Sequence, residues 1–398
     1  MTIHALILKE SGLKLWGMTN SDRLRRTLEK MQVTSFIDEL KNLPDHDSIL
    51  LLRGDYLYDE RLLKNLLKKH DTVLTTSSDA GEKPVAAHAA KRDAEKLIEI
   101  LKGKEKPEKS SHLFFETPDK LSSTYMQKLR KIDPPYLLQI RDENLNRLEE
   151  RLFNGSYKGV TDLVTKWLWP KPALIATRFC ANAGITPNQV TSLSLLLVLF
   201  AGLLFLNGEF AYGLVAAWIM TFLDTVDGKL ARVTVNSSPF GNIYDHAIDL
   251  ISPPLWYLAW GLGLESWQPP FPLSFSSTIW IIFISYIAGR LVEGTFTRLL
   301  EPSGIFCWRP VDSWFRLVTG RRNPSMILLT IGLIAGKPDT GLLAVALWSG
   351  ASSIFLVIRL LMAFYYRYSS GPLRSWFLEV DPDSKNPSLT ERCFSGRK

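Results

Sequence analysis

The sequence predicts two unlike parts: an α/β N-terminal domain over residues 1–140, then an all-α six-helix transmembrane domain over 184–368. Residues 141–183 read as a linker and juxtamembrane helix between them, and 369–398 as a C-terminal tail. Three observations lead there. The first 150 residues are dense in charge, whereas only eight residues between 184 and 289 are Asp, Glu, Lys or Arg. Short apolar runs alternate with helical faces in the front half. Long apolar stretches separated by short polar turns fill the back half.

In the front half, residues 5–9 and 48–52 are apolar runs of strand length. Leucines at 62, 63, 66 and 67 make a helical face over 59–70. Residues 72–76 and 85–90 read as further strands and 94–101 as an amphipathic helix. Such alternation predicts a layered α/β fold with a mostly parallel sheet. Residues 103–111, GKEKPEKSS, form a polar linker. A helix over 144–168, broken near 155–159, leads toward the membrane.

Six apolar spans follow, near 190–206, 211–233, 246–264, 277–293, 324–336 and 341–365. Their connections differ in charge. Those at 207–212 and 263–276 carry no Lys or Arg, and that at 336–340 only Lys337. The stretch from Arg290 to Arg322 carries Arg290, Arg298, Arg309, Arg316, Arg321 and Arg322. The positive-inside rule then puts both termini and the 234–245 turn in the cytoplasm. Trp308 and Trp314 read as interfacial anchors. The net charge of +7 follows this topology bias, so no nucleic-acid partner is expected. Cys180, Cys307 and Cys393 have no metal-site spacing and are expected as reduced thiols. The first residues, MTIHALILKESG, are too short and too charged for a signal peptide.

The chemistry concentrates in residues 222–250, FLDTVDGKLARVTVNSSPFGNIYDHAIDL. Asp224 and Asp227 stand three apart, Asp245 and Asp249 four apart, so each pair shares one face of its helix. The second span runs inward and the third outward. A turn near 234–241 therefore brings all four carboxylates to one pocket at the inner membrane edge. Four acids there repel one another and lose hydration, with only Lys229 and Arg232 nearby in sequence. Divalent cations offset that charge, and an all-oxygen donor set favours Mg²⁺ or Mn²⁺, two ions in all. Metals so placed suit a diphosphate and its phosphoryl transfer. Gly228, Ala231 and Gly241 leave room for close approach about one turn from an Asp.

The spacing D-x2-D-G-x2-A-R-x8-G-x3-D-x3-D resembles the signature of the CDP-alcohol phosphotransferase family, with every fixed position filled. Ile185-Thr186-Pro187-Asn188-Gln189-Val190-Thr191 resembles that family's entry to its first span. The resemblance implies six transmembrane helices, a homodimer in the membrane lipid, and a site open to the cytoplasm. It implies transfer of a phospho-alcohol from a CDP-alcohol donor to a hydroxyl acceptor, releasing CMP. Asp224, Asp227 and Asp245 are implied as metal ligands. Asp249 is implied as the base for the acceptor's proton, with metal contact as a second role. Gly228, Ala231, Arg232 and Gly241, with Asn188 and Thr191, are implied to line the CDP pocket. An aromatic prenyltransferase also pairs Asp motifs around Mg²⁺, but usually far apart in sequence. A transporter would spread its acids over distant helices.

Lys158-Gly159-Val160-Thr161-Asp162 and the stretch from Lys166 to Arg178 resemble the juxtamembrane helix of fused inositol-phosphate cytidylyltransferase and di-inositol-phosphate-phosphate synthases. That layout implies a nucleotidyltransferase-like front domain. Such an enzyme needs a glycine-rich loop after its first strand. Here Gly12 and Gly17 stand isolated in residues 6–26. Arg53-Gly54-Asp55 is similar to the metal-binding Gly-Asp segment of that fold, but a strand-ending turn is the preferred reading. The expectation is a degenerate domain, the fold kept and the activity lost. The resemblance leaves two donor classes open, CDP-diacylglycerol and a CDP-polyol such as CDP-inositol. Arg321 and Arg322, with Arg290 and Arg298, suit an acceptor phosphate held bidentately; positive-inside topology and headgroup contact explain the same arginines.

Overall fold

The computed structural model describes residues 2–396 apart from 45, 79–80, 106–111, 383 and 385. Most of the expected 103–111 linker therefore lies outside the described residues. The chain forms two compact units. One holds Met1–Thr124, Asp133–Gly155 and Val233–Asn236; the other holds Tyr125–Ile132, Ser156–Arg232 and Ser237–Lys398.

The first unit is built on a six-stranded sheet. Its strands are β1 (Ile3–Leu8), β2 (Ser35–Phe36), β3 (Ser48–Arg53), β4 (Thr72–Ser78), β5 (Gly81–Ala90) and β6 (Phe114–Glu116), in the order β2-β1-β3-β5-β4-β6. Its main helices are α1 (Asn20–Lys30), α2 (Glu60–Leu66), α3 (Lys91–Lys102) and α4 (Leu145–Gly155). All six residues of β3 are buried, as a central strand covered on both faces requires. β1 pairs in parallel with β2 and β3, and β4 with β6. β5 runs antiparallel to both β3 and β4. The sheet is thus mixed rather than mostly parallel. The reason is local: two residues separate β4 from β5, far too few for a parallel crossover.

Side chains cap these helices where the sequence supplies them. The Thr19 hydroxyl accepts from the Asp22 amide at 3.2 Å, and Asp59 from the Arg61 amide at 2.9 Å. At the end of β3 the Gly54 amide donates to the Leu8 carbonyl at 2.6 Å. A Cβ at Gly54 would lie 3.1 Å from Ile7 and 3.3 Å from Glu10, so only glycine seats the turn this closely against β1.

The second unit is helical. A break at 156–163 and a π-type turn at Val164–Leu168 lead into α5 (Pro170–Asn182). Then come α6 (Pro187–Leu206), α7 (Phe210–Val233), α8 (Pro239–Leu262), α9 (Phe275–Leu299), α10 (Pro310–Val318), α11 (Arg322–Ile334) and α12 (Pro338–Ser370). Among the described residues four helices are long and apolar enough to cross a membrane: α6, α7, α9 and α12. The other two expected spans are helices as well. α11 has 13 residues, about 20 Å, against a hydrocarbon core of about 30 Å. α8 carries Asp245, His246, Asp249 and two internal prolines.

The sequence sets the entry to α6. Thr186 and Gln189 form a capping box ahead of Pro187 at the first helical position. The core gathers Phe205, Met220, Trp256, Trp260, Met326 and Leu342. Buried indole N–H groups find carbonyls: Trp256 donates to Val198 at 2.9 Å and Trp260 to Pro338 at 3.0 Å. Leu196, Leu199, Leu203, Ile284 and Leu361 turn outward, apolar faces that suit lipid rather than water.

Candidate active site

The four aspartates come from adjacent helices, α7 and α8. Asp224 and Asp227 lie on one face of α7, Asp245 and Asp249 on one face of α8. The Ser238 hydroxyl caps α8 by accepting from the Gly241 amide at 2.9 Å. A Cβ at Gly241 would come 2.5 Å from the Asn188 side-chain oxygen, so this glycine lets α6 press against the first turn of α8. Carboxylate oxygens of Asp224, Asp227 and Asp245 all lie within 4.8 Å of one another.

Asp249 joins this group through a cation. Arg322, at the start of α11, donates to Asp224 at 2.6 Å and also to Asp249. One guanidinium thus bridges two of the four carboxylates, one from each helix. Thr191 of α6 donates to Asp227 at 2.6 Å. The other Asp227 carboxylate oxygen is buried and has no hydrogen-bond partner among the described residues. A buried acceptor without a donor is costly, and three carboxylates this close repel. An all-oxygen cluster with an orphaned oxygen fits a hard divalent cation.

The remaining expected site residues distribute as follows. Ala231 is half-buried on α7 and Arg232 is exposed. A Cβ at Gly228 would meet the Arg232 guanidinium at 3.1 Å, so that side chain lies over the glycine. Asn188 and Thr191 both stand on the first turns of α6, facing α8 and Asp227 respectively. Arg321 and Arg322 have different partners despite being neighbours. Arg322 sits in the carboxylate cluster, while Arg321 pairs with Glu293 and lies 5.7 Å from the Phe306 ring.

Three features were not legible in the motif. Tyr286 of α9 donates from its hydroxyl to the carbonyls of Asp249 and Leu250, at 3.3 and 3.0 Å, and accepts from Arg290 at 3.1 Å. The Lys229 ammonium is buried 3.2 Å from the centre of the Tyr157 ring and donates to the Ser156 carbonyl at 3.1 Å. A basic group also collects around Lys158. Burial, then Arg130, Arg232, Arg316 and Arg321, pushes its ammonium down to about 8. Beside it, burial works to raise Asp162, but Arg316 and hydrogen bonds from Asn323 and Thr165 outweigh it and hold the carboxyl below its usual range. The signal for this group was present only as scattered Lys and Arg, which sequence cannot gather.

Residues 184–301 match the family model described as CDP-alcohol phosphatidyltransferase. The chain is similar to the archaetidylinositol phosphate synthase of Pyrococcus horikoshii, 40% identical over 94 residues, 23% of this chain and 49% of that protein. It is similar to the phosphatidylinositol phosphate synthase of Mycobacteroides abscessus, 31% identical over 92 residues, 21% of this chain and 42% of that protein. It also resembles cholinephosphotransferase 1 of Gallus gallus, 29% identical over 119 residues, 27% of this chain and 34% of that protein. These matches span about half or less of each relative. The matched segment contains all four clustered aspartates, so the part of the chain that carries the site is similar to the CDP-alcohol phosphatidyltransferase family.

Proposed function

We propose that this chain is a metal-dependent integral membrane CDP-alcohol phosphotransferase. The observation that carries the reading is the convergence of Asp224, Asp227 and Asp245 with one orphaned carboxylate oxygen. Asp224, Asp227 and Asp245 would hold Mg²⁺ or Mn²⁺, with Asp249 completing the set for a second ion. A cation held there would supply charge shielding for the donor diphosphate and for the charge developing in phosphoryl transfer.

The chain's own residues do the rest. Asp249 takes the proton from the acceptor hydroxyl. The acceptor oxygen forms a bond to the phosphorus that carries the donor's alcohol. The bond from that phosphorus to CMP breaks, and CMP leaves. Arg322 orients the Asp224 and Asp249 carboxylates, and Thr191 orients Asp227. Gly228, Ala231, Arg232, Gly241 and Asn188 border the space for the cytidine nucleotide.

The acceptor reading is a phosphorylated alcohol such as inositol phosphate, received by Lys158, Arg130, Arg316 and Arg321. Its support is the crowding of cations around Lys158, together with the similarity to an archaetidylinositol phosphate synthase and a phosphatidylinositol phosphate synthase. The donor is CDP-diacylglycerol or a CDP-polyol. The enzyme works as a homodimer with its termini and site in the cytoplasm. The front domain is a degenerate nucleotidyltransferase, kept for docking or regulation. Its support is the absent glycine-rich loop and the capture of Asp55 by Arg53, at 2.9 and 2.5 Å.

The test is CMP release by the purified full chain offered both donor classes with inositol phosphate, glycerol phosphate and serine. Products are identified by mass spectrometry, with Mg²⁺ present or chelated. Metal-dependent CMP release supports the reading. Turnover that persists in excess chelator, or no CMP from any pair, overturns it.

A further inference from the structure

Away from the carboxylate cluster, a cavity of about 470 Å³ opens on the face of α12, lined by Trp308, Arg309, Arg359, Met362, Tyr365 and Tyr366 among others. That is the volume of a small-molecule site. Its chemistry is uneven. Arg359 is spent: it holds Asp312 through two hydrogen bonds of 2.6 and 2.8 Å. Arg309 makes no side-chain ion pair among the described residues, although its charge reaches Asp312; its guanidinium lies 5.6 Å from the Trp308 ring and 5.2 Å from the Tyr366 ring. The indole N–H of Trp308, a residue 3% exposed, is buried with no acceptor among the described residues. One cation without a direct ion pair and one donor without an acceptor, both among the described residues, thus border the same apolar cavity. A buried donor without an acceptor is rare unless a ligand supplies one.

Its depth names the ligand class. α12 has 33 residues, about 50 Å of helix, against a hydrocarbon core of about 30 Å. The Gly320 amide donates to Ser352 at 2.9 Å, so Ser352 stands level with the start of α11, where Arg322 meets the aspartates. Arg359 and Tyr366 lie about two and four turns farther along α12, past the level of the carboxylates, where a helix this long outruns the hydrocarbon core. Tyr365 is 74% exposed and Leu361 63%, which leaves the cavity open sideways onto an apolar helix face. Aromatic rings beside an arginine at that depth fit the polar–apolar junction of a phospholipid.

We propose that this cavity binds one anionic phospholipid from the leaflet to which the aspartate site opens. Its phosphate accepts from Arg309 and from the Trp308 indole, and its glycerol and upper chains lie along Leu361 and Tyr365. A zwitterionic choline lipid fits poorly, because Arg309 already occupies the ring faces that a quaternary ammonium would need. The proposal does not depend on the catalytic reading, since binding is measured without turnover.

The experiment is native mass spectrometry of the full chain released from micelles holding phosphatidylglycerol or phosphatidylcholine. The wild type is expected to retain phosphatidylglycerol and not phosphatidylcholine, and a large excess of inorganic phosphate leaves the lipid in place. Arg309→Gln weakens retention about tenfold or more, the loss of one charge-assisted bond, and Trp308→Phe weakens it too. Equal retention of both lipids by the wild type overturns the proposal, as does equal phosphatidylglycerol retention by a folded Arg309→Gln. Displacement by inorganic phosphate overturns it in favour of a free-anion site. If Arg309→Gln does not fold, the wild-type lipid comparison and the phosphate competition decide alone.

Discussion

The Tyr286 hydroxyl donates to the backbone carbonyl of Asp249 at 3.3 Å. That carbonyl is free because Pro253, four residues on, has no N–H to offer it, and Pro254 frees the Leu250 carbonyl in the same way. Tyr286 takes both, from the neighbouring helix. An unsatisfied carbonyl in a membrane interior costs several kcal/mol unless a neighbour re-satisfies it. The tyrosine therefore holds the turn of α8 that carries Asp249. Tyr286→Phe is expected to lower turnover while leaving donor affinity near wild type, and to lower the melting midpoint. The kcat and donor Kd of the purified variant check this; unchanged kcat shows that α8 needs no such tie.

Arg322 acts as an internal counter-ion to the aspartates. Arg322→Gln leaves four carboxylates facing one another, so the variant should melt earlier in chelator. Added Mg²⁺ or Mn²⁺ should then raise its melting point by more than it raises that of the wild type, because metal binding stabilises the native state by mass action. Equal metal-induced shifts in the two proteins would argue that Arg322 and the cations do not share a site.

The aspartates should separate by role. Asp224→Asn, Asp227→Asn and Asp245→Asn are expected to lose metal-dependent CDP-donor binding along with turnover. Asp249→Asn should lose turnover but keep substantial donor binding, since the acceptor's proton leaves after the donor has docked. Calorimetry with a CDP-alcohol, with and without Mg²⁺, reads the difference. A fully active Asp249→Asn removes it as the base.

Lys158 gives a pH signature. Its ammonium is held at about 8, below the ordinary lysine value, so it is charged below that pH and neutral above it. If it receives an acceptor phosphate, acceptor KM should be low below pH 8 and rise as pH passes through 8. Lys158→Ala should raise acceptor KM about tenfold or more at neutral pH, the cost of one charge-assisted bond. Lys158→Arg should flatten the pH profile. A profile that is unchanged in both variants moves the acceptor away from this lysine.

For the front domain, the full chain offered CTP and a polyol phosphate is expected to release no pyrophosphate. Asp55→Asn should leave phosphotransferase turnover unaltered, because Asp55 is already neutralised by Arg53. Pyrophosphate release that vanishes in Asp55→Asn would restore an active nucleotidyltransferase.

The sequence by itself determined the pieces that depend on near neighbours. Helical period put Asp224 with Asp227 and Asp245 with Asp249, and charge-poor stretches marked the apolar helices. These features are legible because spacings of three and four residues translate directly into helix faces. Only the tertiary structure decided what meets what across long separations. It set Thr191 on Asp227, Tyr286 on the carbonyls that Pro253 and Pro254 free, and Arg322 between Asp224 and Asp249, while turning Arg321 to Glu293. It also made the sheet mixed, through a hairpin too short for a crossover. Adjacent residues such as Arg321 and Arg322 leave the backbone in different directions, so sequence proximity says little about shared partners. The packing of the helices chooses them.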